Sequence, residues 1–443
     1  MSLPEPASRS RAAVARPAIL RPLEKFLHVE AASGVVLLTA AVAALIWANS
    51  PWADSYEALW HAQFALQLGG LSVSESLHFI INDVFMTVFF LVVGLEIRRE
   101  IHDGALANLR LATLPIFAAA GGVVAPALIY LGLNATPELR HGWAVPTATD
   151  IAFALGVLAL LGKRVPASLR VLLLALAIID DIIAILIIAL FYSSGVQLLG
   201  AGIAVAGAVL VFTWQVLGLR SAWSYVVPGA VVWFGVLQAQ VHPAIAGVVL
   251  GLLTPVRTAA QRDTLIEMAR HSLDRLLGEA RESAQIAAPV RRLDSIQRES
   301  LAPAARVQMA LHPWVAFGIM PLFAFANSGV SLQSVSMGSM LSGSVSLGVL
   351  LGLTLGKPMG ILLASFIAVR LRLSVLPPQA SMGGLLLVGC LGGIGFTMAI
   401  FIANLAFASP ALLAQAKLAI LMGSATSGVV GLIVGWVVLP KGG

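Results

Sequence analysis

Val171-Leu-Leu-Leu-Ala-Leu-Ala-Ile-Ile-Asp-Asp-Ile-Ile-Ala-Ile-Leu-Ile-Ile-Ala189 is the stretch on which the fold turns. A helix of this length crosses about 30 Å of hydrocarbon at ~1.5 Å per residue. Two adjacent carboxylates, Asp180 and Asp181, nevertheless stand in its middle. A charge at mid-membrane is costly, so neither side chain faces lipid, and each is a functional candidate by default. Such a segment needs other helices around it.

The remainder of the chain supplies them. Of the 443 residues, 59% are hydrophobic and 11% charged, with a mean hydropathy of +0.93, far outside the range of soluble domains. Uncharged windows recur at Ala31 to Ala53, Leu111 to Asn134, Val196 to Leu219 and Leu385 to Leu413. None alternates with the period of a barrel strand, and in lipid only a helix satisfies its own backbone. We read an all-α polytopic membrane protein with about twelve transmembrane helices, near 33–49, 77–97, 111–132, 140–161, 167–190, 197–216, 221–239, 242–254, 314–330, 343–368, 382–406 and 412–437.

A net charge of +6 raises the question of nucleic acid, but the cations sort by membrane side. On this span model all of the 27 basic residues except Arg140, Lys417 and the intramembrane Lys357 fall on one face. By the positive-inside rule that face, with both termini, is cytoplasmic. Four regions follow. Residues 1–32 form a basic cytoplasmic segment with no cleaved signal peptide, and residues 33–254 hold spans 1–8 with a short outer hairpin near 64–76. Residues 255–312 form a charged cytoplasmic loop with an amphipathic helix over Thr264 to Arg281, and residues 313–443 hold spans 9–12 and a short tail. The single cysteine, Cys390, has no partner for an intrachain disulfide and reads as packing.

Two spans carry residues that unwind helices. In span 4, Trp143-Ala-Val-Pro-Thr-Ala-Thr-Asp150 sets Pro146 and two threonines ahead of Asp150. In span 11, Gly389-Cys-Leu-Gly-Gly-Ile-Gly-Phe-Thr397 holds four glycines in seven residues. Interrupted segments in corresponding halves mark a binding site between crossed, broken helices, whereas a glycine cluster alone is also ordinary close packing.

The charged residues deepest in the spans are Asp150, Asp180, Asp181 and Lys357, with Asp83 and Glu96 nearer the ends of span 2. Neighbouring helix positions diverge by about 100°, so Asp180 and Asp181 bind different partners. Two buried carboxylates resist double ionisation, while a hard monovalent cation stabilises the ionised pair. Protons and cation therefore compete for one site, which makes an exchanger when that site opens to one side at a time. Asp150 and Lys357 suit the exposed dipole ends of broken helices, although a purely stabilising Lys357–Asp180 pair fits the same residues. Glu96, Arg99 and Glu100 read as a charge cluster at the cytoplasmic end of span 2 or as a cation funnel and pH sensor, and His242 adds a group that titrates near neutrality.

From about Glu24 to the C-terminus the chain resembles the NhaA-type Na⁺/H⁺ antiporter family. The resemblance rests on Phe89-Phe-Leu-Val-Val-Gly-Leu-Glu-Ile-Arg-Arg-Glu100, Pro146-Thr-Ala-Thr-Asp-Ile-Ala-Phe-Ala-Leu-Gly156 and Ala175-Leu-Ala-Ile-Ile-Asp-Asp181. Further motifs are Leu311-His-Pro-Trp314 with Pro321-Leu-Phe-Ala-Phe-Ala-Asn327, Gly356-Lys-Pro358 and Gly393-Ile-Gly-Phe-Thr-Met398. It implies inverted repeats with crossing spans 4 and 11, a bacterial inner-membrane location, and one Na⁺ or Li⁺ expelled for about two H⁺. Asp181 would be the principal cation ligand and Asp180 its partner and the contact of Lys357. Thr149 with Asp150 would form the unwound crossing, and Glu96 and Arg99 the pH-response cluster. The hairpin would serve a homodimer. No cofactor, resident metal or nucleic acid is implied. One departure is Gln308, four positions before His312, where the family has an acidic residue. Other readings of the intramembrane charges are a cation channel and an intramembrane aspartyl protease, whose Gly-x-Gly-Asp motif the chain lacks.

Overall fold

The computed structural model describes residues 20–68, 71–193, 195–219, 222–256, 267, 268, 270, 301–332 and 343–440. The chain is mostly helical. Helix α1 (Leu20–Ala48) and α2 (Ala53–His61) precede a two-stranded antiparallel hairpin, β1 (Gln63–Leu68) and β2 (Leu71–Ser76), whose register pairs Gln63 with Ser76 and Leu68 with Leu71. Then follow α3 (Leu77–Asp103), α4 (Leu109–Leu133), α5 (Ile151–Leu160), α6 (Ala167–Phe191), α7 (Leu198–Val216), α8 (Val226–Gln238) and α9 (Ala244–Leu253). The last group is α10 (Pro303–Asn327), α11 (Ser344–Arg370), α12 (Met382–Gly392), α13 (Phe396–Ala406) and α14 (Pro410–Val438).

Among the described residues seven helices are long and apolar enough to cross a membrane, and up to ten spans result if each of three bent pairs counts as one. The pairs bend by 115° between α1 and α2, 44° between 137–147 and α5, and 48° between α12 and α13. The segments Trp223–Gln238 and Ala244–Leu253 are shorter apolar helices. This is an all-α polytopic membrane protein.

Local chemistry explains where the helices start. Ser76, Asp150 and Ser381 each cap a helix by accepting a backbone N–H, and Pro303 and Pro410 occupy first-turn positions where no N–H is needed. Pro321 and Pro358 sit inside α10 and α11, each just after a widened π turn at Val315–Ile319 and Gly352–Gly356. The ring of an internal proline clashes with the carbonyl a turn back, and the wider turn accommodates it.

Two boundaries differ from those read in the sequence. Helix α1 begins at Leu20, inside the basic segment, and α10 begins at Pro303, inside the expected loop. Pro303 supplies the start of α10, and Ala304 and Gln308, one turn apart, are both buried. The amphipathic helix expected over Thr264 to Arg281 lies outside the described residues, save Glu267, Met268 and Arg270.

Because lipid is as apolar as leucine, helices associate through close packing and not through apolar burial. Glycines provide that approach. A Cβ on Gly247 of α9 would lie 2.1 Å from the Thr87 carbonyl oxygen of α3, and one on Gly360 of α11 would lie 2.1 Å from that of Gly121 on α4. Helix α6 has 67% of its apolar window buried and α7 only 17%. The outer surface carries exposed Leu198, Leu199, Phe212 and Val216 on α7, the pattern of a lipid-facing wall. The helix bearing Asp180 and Asp181 is thus central and the charge-free α7 peripheral.

Candidate ion site

Residues Ala148 to Asp150 are extended between the turn His141–Thr147 and α5, and Gly393 to Gly395 interrupt the step from α12 to α13. The two breaks touch, with the Asp150 amide donating to the Ile394 carbonyl at 2.7 Å. Proline and glycine chemistry opens each chain locally, and the freed polar groups then find one another.

Asp150 serves both helices that begin there. Its Oδ1 accepts from the Phe153 amide of α5 at 3.1 Å, and its Oδ2 accepts from the Thr397 amide of α13 at 3.2 Å and from the Thr397 hydroxyl. One carboxylate thereby faces the positive ends of two helix dipoles. It is 1% exposed, and burial of an anion there is offset by those donors.

Lys357, fully buried at the widened turn of α11, ion-pairs with Asp180 Oδ2 and donates to Thr149 Oγ1. Thr149 Oγ1 also lies 2.7 Å from Asp180 Oδ2 and 2.8 Å from the Gly392 carbonyl at the end of α12. Lys357, Thr149 and Asp180 therefore link α11, the first break, the second break and α6.

Asp181 is 3% exposed within α6, and its carboxylate makes no side-chain hydrogen bond among the described residues. Asp180, Glu96, Asp150 and Lys357 all act on it electrostatically. The two neighbours thus sit in different environments: Asp180 is bound to a cation and a hydroxyl, while both Asp181 oxygens are uncommitted. An uncommitted buried carboxylate surrounded by carboxylates can take a proton or a small cation with oxygen ligands, and the two exclude each other.

Toward the end of α3, Arg99 donates to Gln308 Oε1 of α10 at 3.4 Å, and Gln308 is buried. Glu96, about one turn before Arg99 on α3, acts electrostatically on Asp181. His242 does not belong with Glu96 and Arg99, although the sequence reading grouped the three. Its Nε2 lies 3.7 Å from Asp83 Oδ1 near the start of α3, with its ring edge-on to Phe401 at 5.1 Å. Asp83 and Glu96 are separated by some 20 Å of helix at ~1.5 Å per residue. His242 stands just before α9, on the face where α3 starts, the same outer face on which the twelve-span reading sets the beginning of span 8.

Residue-by-residue reading also missed Thr397, and the three asparagines Asn82, Asn327 and Asn404, which hydrogen-bond one another. The available signal was a polar side chain within an otherwise apolar span, the criterion that singled out the aspartates.

A family model described as Na⁺/H⁺ antiporter 1 matches residues 24–435. A protein of Janthinobacterium sp. (strain Marseille) named Na(+)/H(+) antiporter NhaA is 59% identical over 418 residues, covering 94% of this chain and 92% of that one. One of Pseudomonas putida (strain KT2440), named Na(+)/H(+) antiporter NhaA 2, is 56% identical over 414 residues, 93% of this chain and 91% of its own. One of Cupriavidus necator (strain H16), named Na(+)/H(+) antiporter NhaA, is 54% identical over 419 residues, 94% and 90%.

Proposed function

The chain belongs to the Na⁺/H⁺ antiporter 1 family, and from that premise we propose that it expels Na⁺ across a bacterial inner membrane in exchange for protons. It is a secondary transporter and not an enzyme. The observation that carries the reading is the asymmetry of the buried pair, with Asp180 held by Lys357 and Thr149 and Asp181 uncommitted.

Asp181 is the principal ligand. With no cation it holds a proton, and Lys357 neutralises Asp180. An arriving Na⁺ or Li⁺ displaces the proton, draws Asp180 into the ligand set and releases it from Lys357, which gives up a proton in turn. Two protons then exchange for one cation, so each cycle moves net charge. Asp150 and Thr149 keep the two breaks in register throughout. The adjacent position of the carboxylates supports this reading over the protease, which needs separated aspartates. The lysine on Asp180 supports it over a channel, because that pair must be broken and remade in each cycle.

The seven long helices, Ala32–Ala48, the two interrupted pairs and the two shorter apolar helices together make twelve spans in this proposal, with both termini cytoplasmic. Glu96 and Arg99 form a cytoplasmic funnel and pH-response cluster, in which the contact to Gln308 is uncharged on one side. The hairpin β1–β2 offers strand edges for pairing with a second copy in a homodimer. The test is Na⁺-induced proton movement in everted vesicles. A response across roughly pH 6.5 to 9, a range set around titration of buried carboxylates and histidine, is expected, and none at any pH would reject the proposal. Unitary single-channel currents would favour the channel instead.

A further inference from the structure

Three asparagines from three helices meet at the end of α13 remote from the second break. The Asn404 amide of α13 donates to Asn327 Oδ1 at 2.8 Å. The Asn327 amide, at the end of α10, donates to Asn82 Oδ1 of α3 at 2.8 Å and to the Phe323 carbonyl at 3.0 Å. The Asn82 amide in turn lies 3.0 Å from His78 Nε2. Asn327, the middle member, is 1% exposed. Ordinary helix packing in lipid does not require buried amides, and a chain of them is costly unless every link is made.

The middle link is held from behind. Tyr56 Oη of α2 donates to the Phe325 carbonyl at 2.6 Å and accepts from the Gly329 amide at 3.2 Å. Trp47, Trp60 and Phe325 pack around its ring at centroid distances of 5.7, 5.8 and 6.2 Å. The end of α10 is therefore a fixed post, and Asn327 faces forward from it.

What the post holds is α13. At one end, α13 begins with Thr397 on Asp150, in the candidate ion site. About 10 Å further along at helical rise sits Asn404. Behind it, α13 joins α12 only through Gly393–Gly395 at a 48° bend, a linker that transmits little of the orientation of α12. The near end of α13 is held by Asp150 and by Ser424 of α14, and at its far end the asparagine chain ties α13 to α10 directly and, through Asn327, to α3.

We propose that Asn82, Asn327 and Asn404 are positioning residues that hold the outer half of the second broken helix and so set ion access from the side where α3 begins. The proposal rests on the transport reading above. None of the three asparagines touches Asp180, Asp181 or Lys357, so cutting the chain leaves cation capture from the cytoplasmic face intact and disturbs the step that opens the opposite face.

The experiment uses the full chain in proteoliposomes, with Na⁺-driven proton flux measured with Na⁺ supplied on each face in turn. Asn404→Leu keeps the volume and removes the donor, Asn404→Gln keeps an amide, and Asn82→Ala cuts the chain at its other end. Asn404→Leu is expected to lower kcat about fivefold to tenfold, the scale of one lost buried hydrogen bond, with the cytoplasmic-face KM for Na⁺ within about twofold of wild type. Asn404→Gln should recover most of the rate, and Asn82→Ala should reproduce the loss. Wild-type kcat in Asn404→Leu, equal slowing in Asn404→Gln, or equal KM changes at both faces would overturn the proposal. If Asn404→Leu does not fold, Asn82→Ala decides by the same criteria. An inactive wild type would reject the transport reading itself, whereas an active wild type with indifferent asparagine variants rejects only this inference.

Discussion

Two side chains one position apart point about 100° apart on a helix, and for Asp180 and Asp181 that angle separates a paired carboxylate from an uncommitted one. Asp180 faces α11 and meets Lys357. A buried ion pair is weak evidence for stability, but removing one partner leaves the other charge stranded. Lys357→Met is therefore expected to destabilise the protein by about 3–5 kcal/mol, read as a lower Tm in detergent. The double variant Lys357→Met with Asp180→Asn should recover most of that Tm without recovering transport. Recovery of both would mean that the lysine serves stability alone. The aspartates and Lys357 were legible in the sequence because charge in an apolar run needs no alignment to be noticed. A Lys357–Asp180 pair was open from the residues as one alternative and was favoured by family resemblance, since the two lie far apart in the chain and only packing brings α11 to α6. His242 was grouped with Glu96 and Arg99 for its titration near neutrality alone, although the span order already set it on the opposite face, and its neighbours Asp83 and Phe401 became visible only through packing.

At the scale of the helix, the interruptions were readable where covalent chemistry marks them. Pro146 removes a backbone donor and the glycines of span 11 weaken helix propensity, so both breaks announce themselves. The widened turns near Pro321 and Pro358 were not readable, because a proline inside a helix is absorbed by a kink, a wide turn or a break according to its neighbours. The glycine contacts were equally hidden, since any apolar helix of a membrane protein carries small residues. Gly360→Ala tests one of them. A Cβ placed 2.1 Å from the Gly121 carbonyl oxygen forces α4 and α11 apart. The expected loss is about 1–3 kcal/mol, measured as a lower temperature of aggregation in detergent. An unchanged temperature would show that the two helices separate freely. At the second break, Thr397→Val deletes the hydroxyl that Asp150 accepts and keeps the shape of the side chain. The Na⁺ KM should rise severalfold, by roughly the value of one charge-assisted hydrogen bond, in the same flux assay.

For the whole molecule, the distribution of charge carries the proposed orientation and the exposed apolar wall carries the environment. Both were plain in the composition, because lipid selects for them along the entire chain. The proposed topology predicts that tags at the two ends are cleaved by added protease in everted vesicles and protected in right-side-out ones. Opposite protection of the two tags would mean an odd number of spans. The central claim is narrower than the topology: Asp181 is where Na⁺ and H⁺ exclude each other. The measurement that meets it most directly is Na⁺-pulsed proton flux in proteoliposomes holding wild type or Asp181→Asn at matched incorporation. Protons should move with the pulse in wild type and not at all in Asp181→Asn. A variant that still moves protons with wild-type KM for Na⁺ would contradict the account.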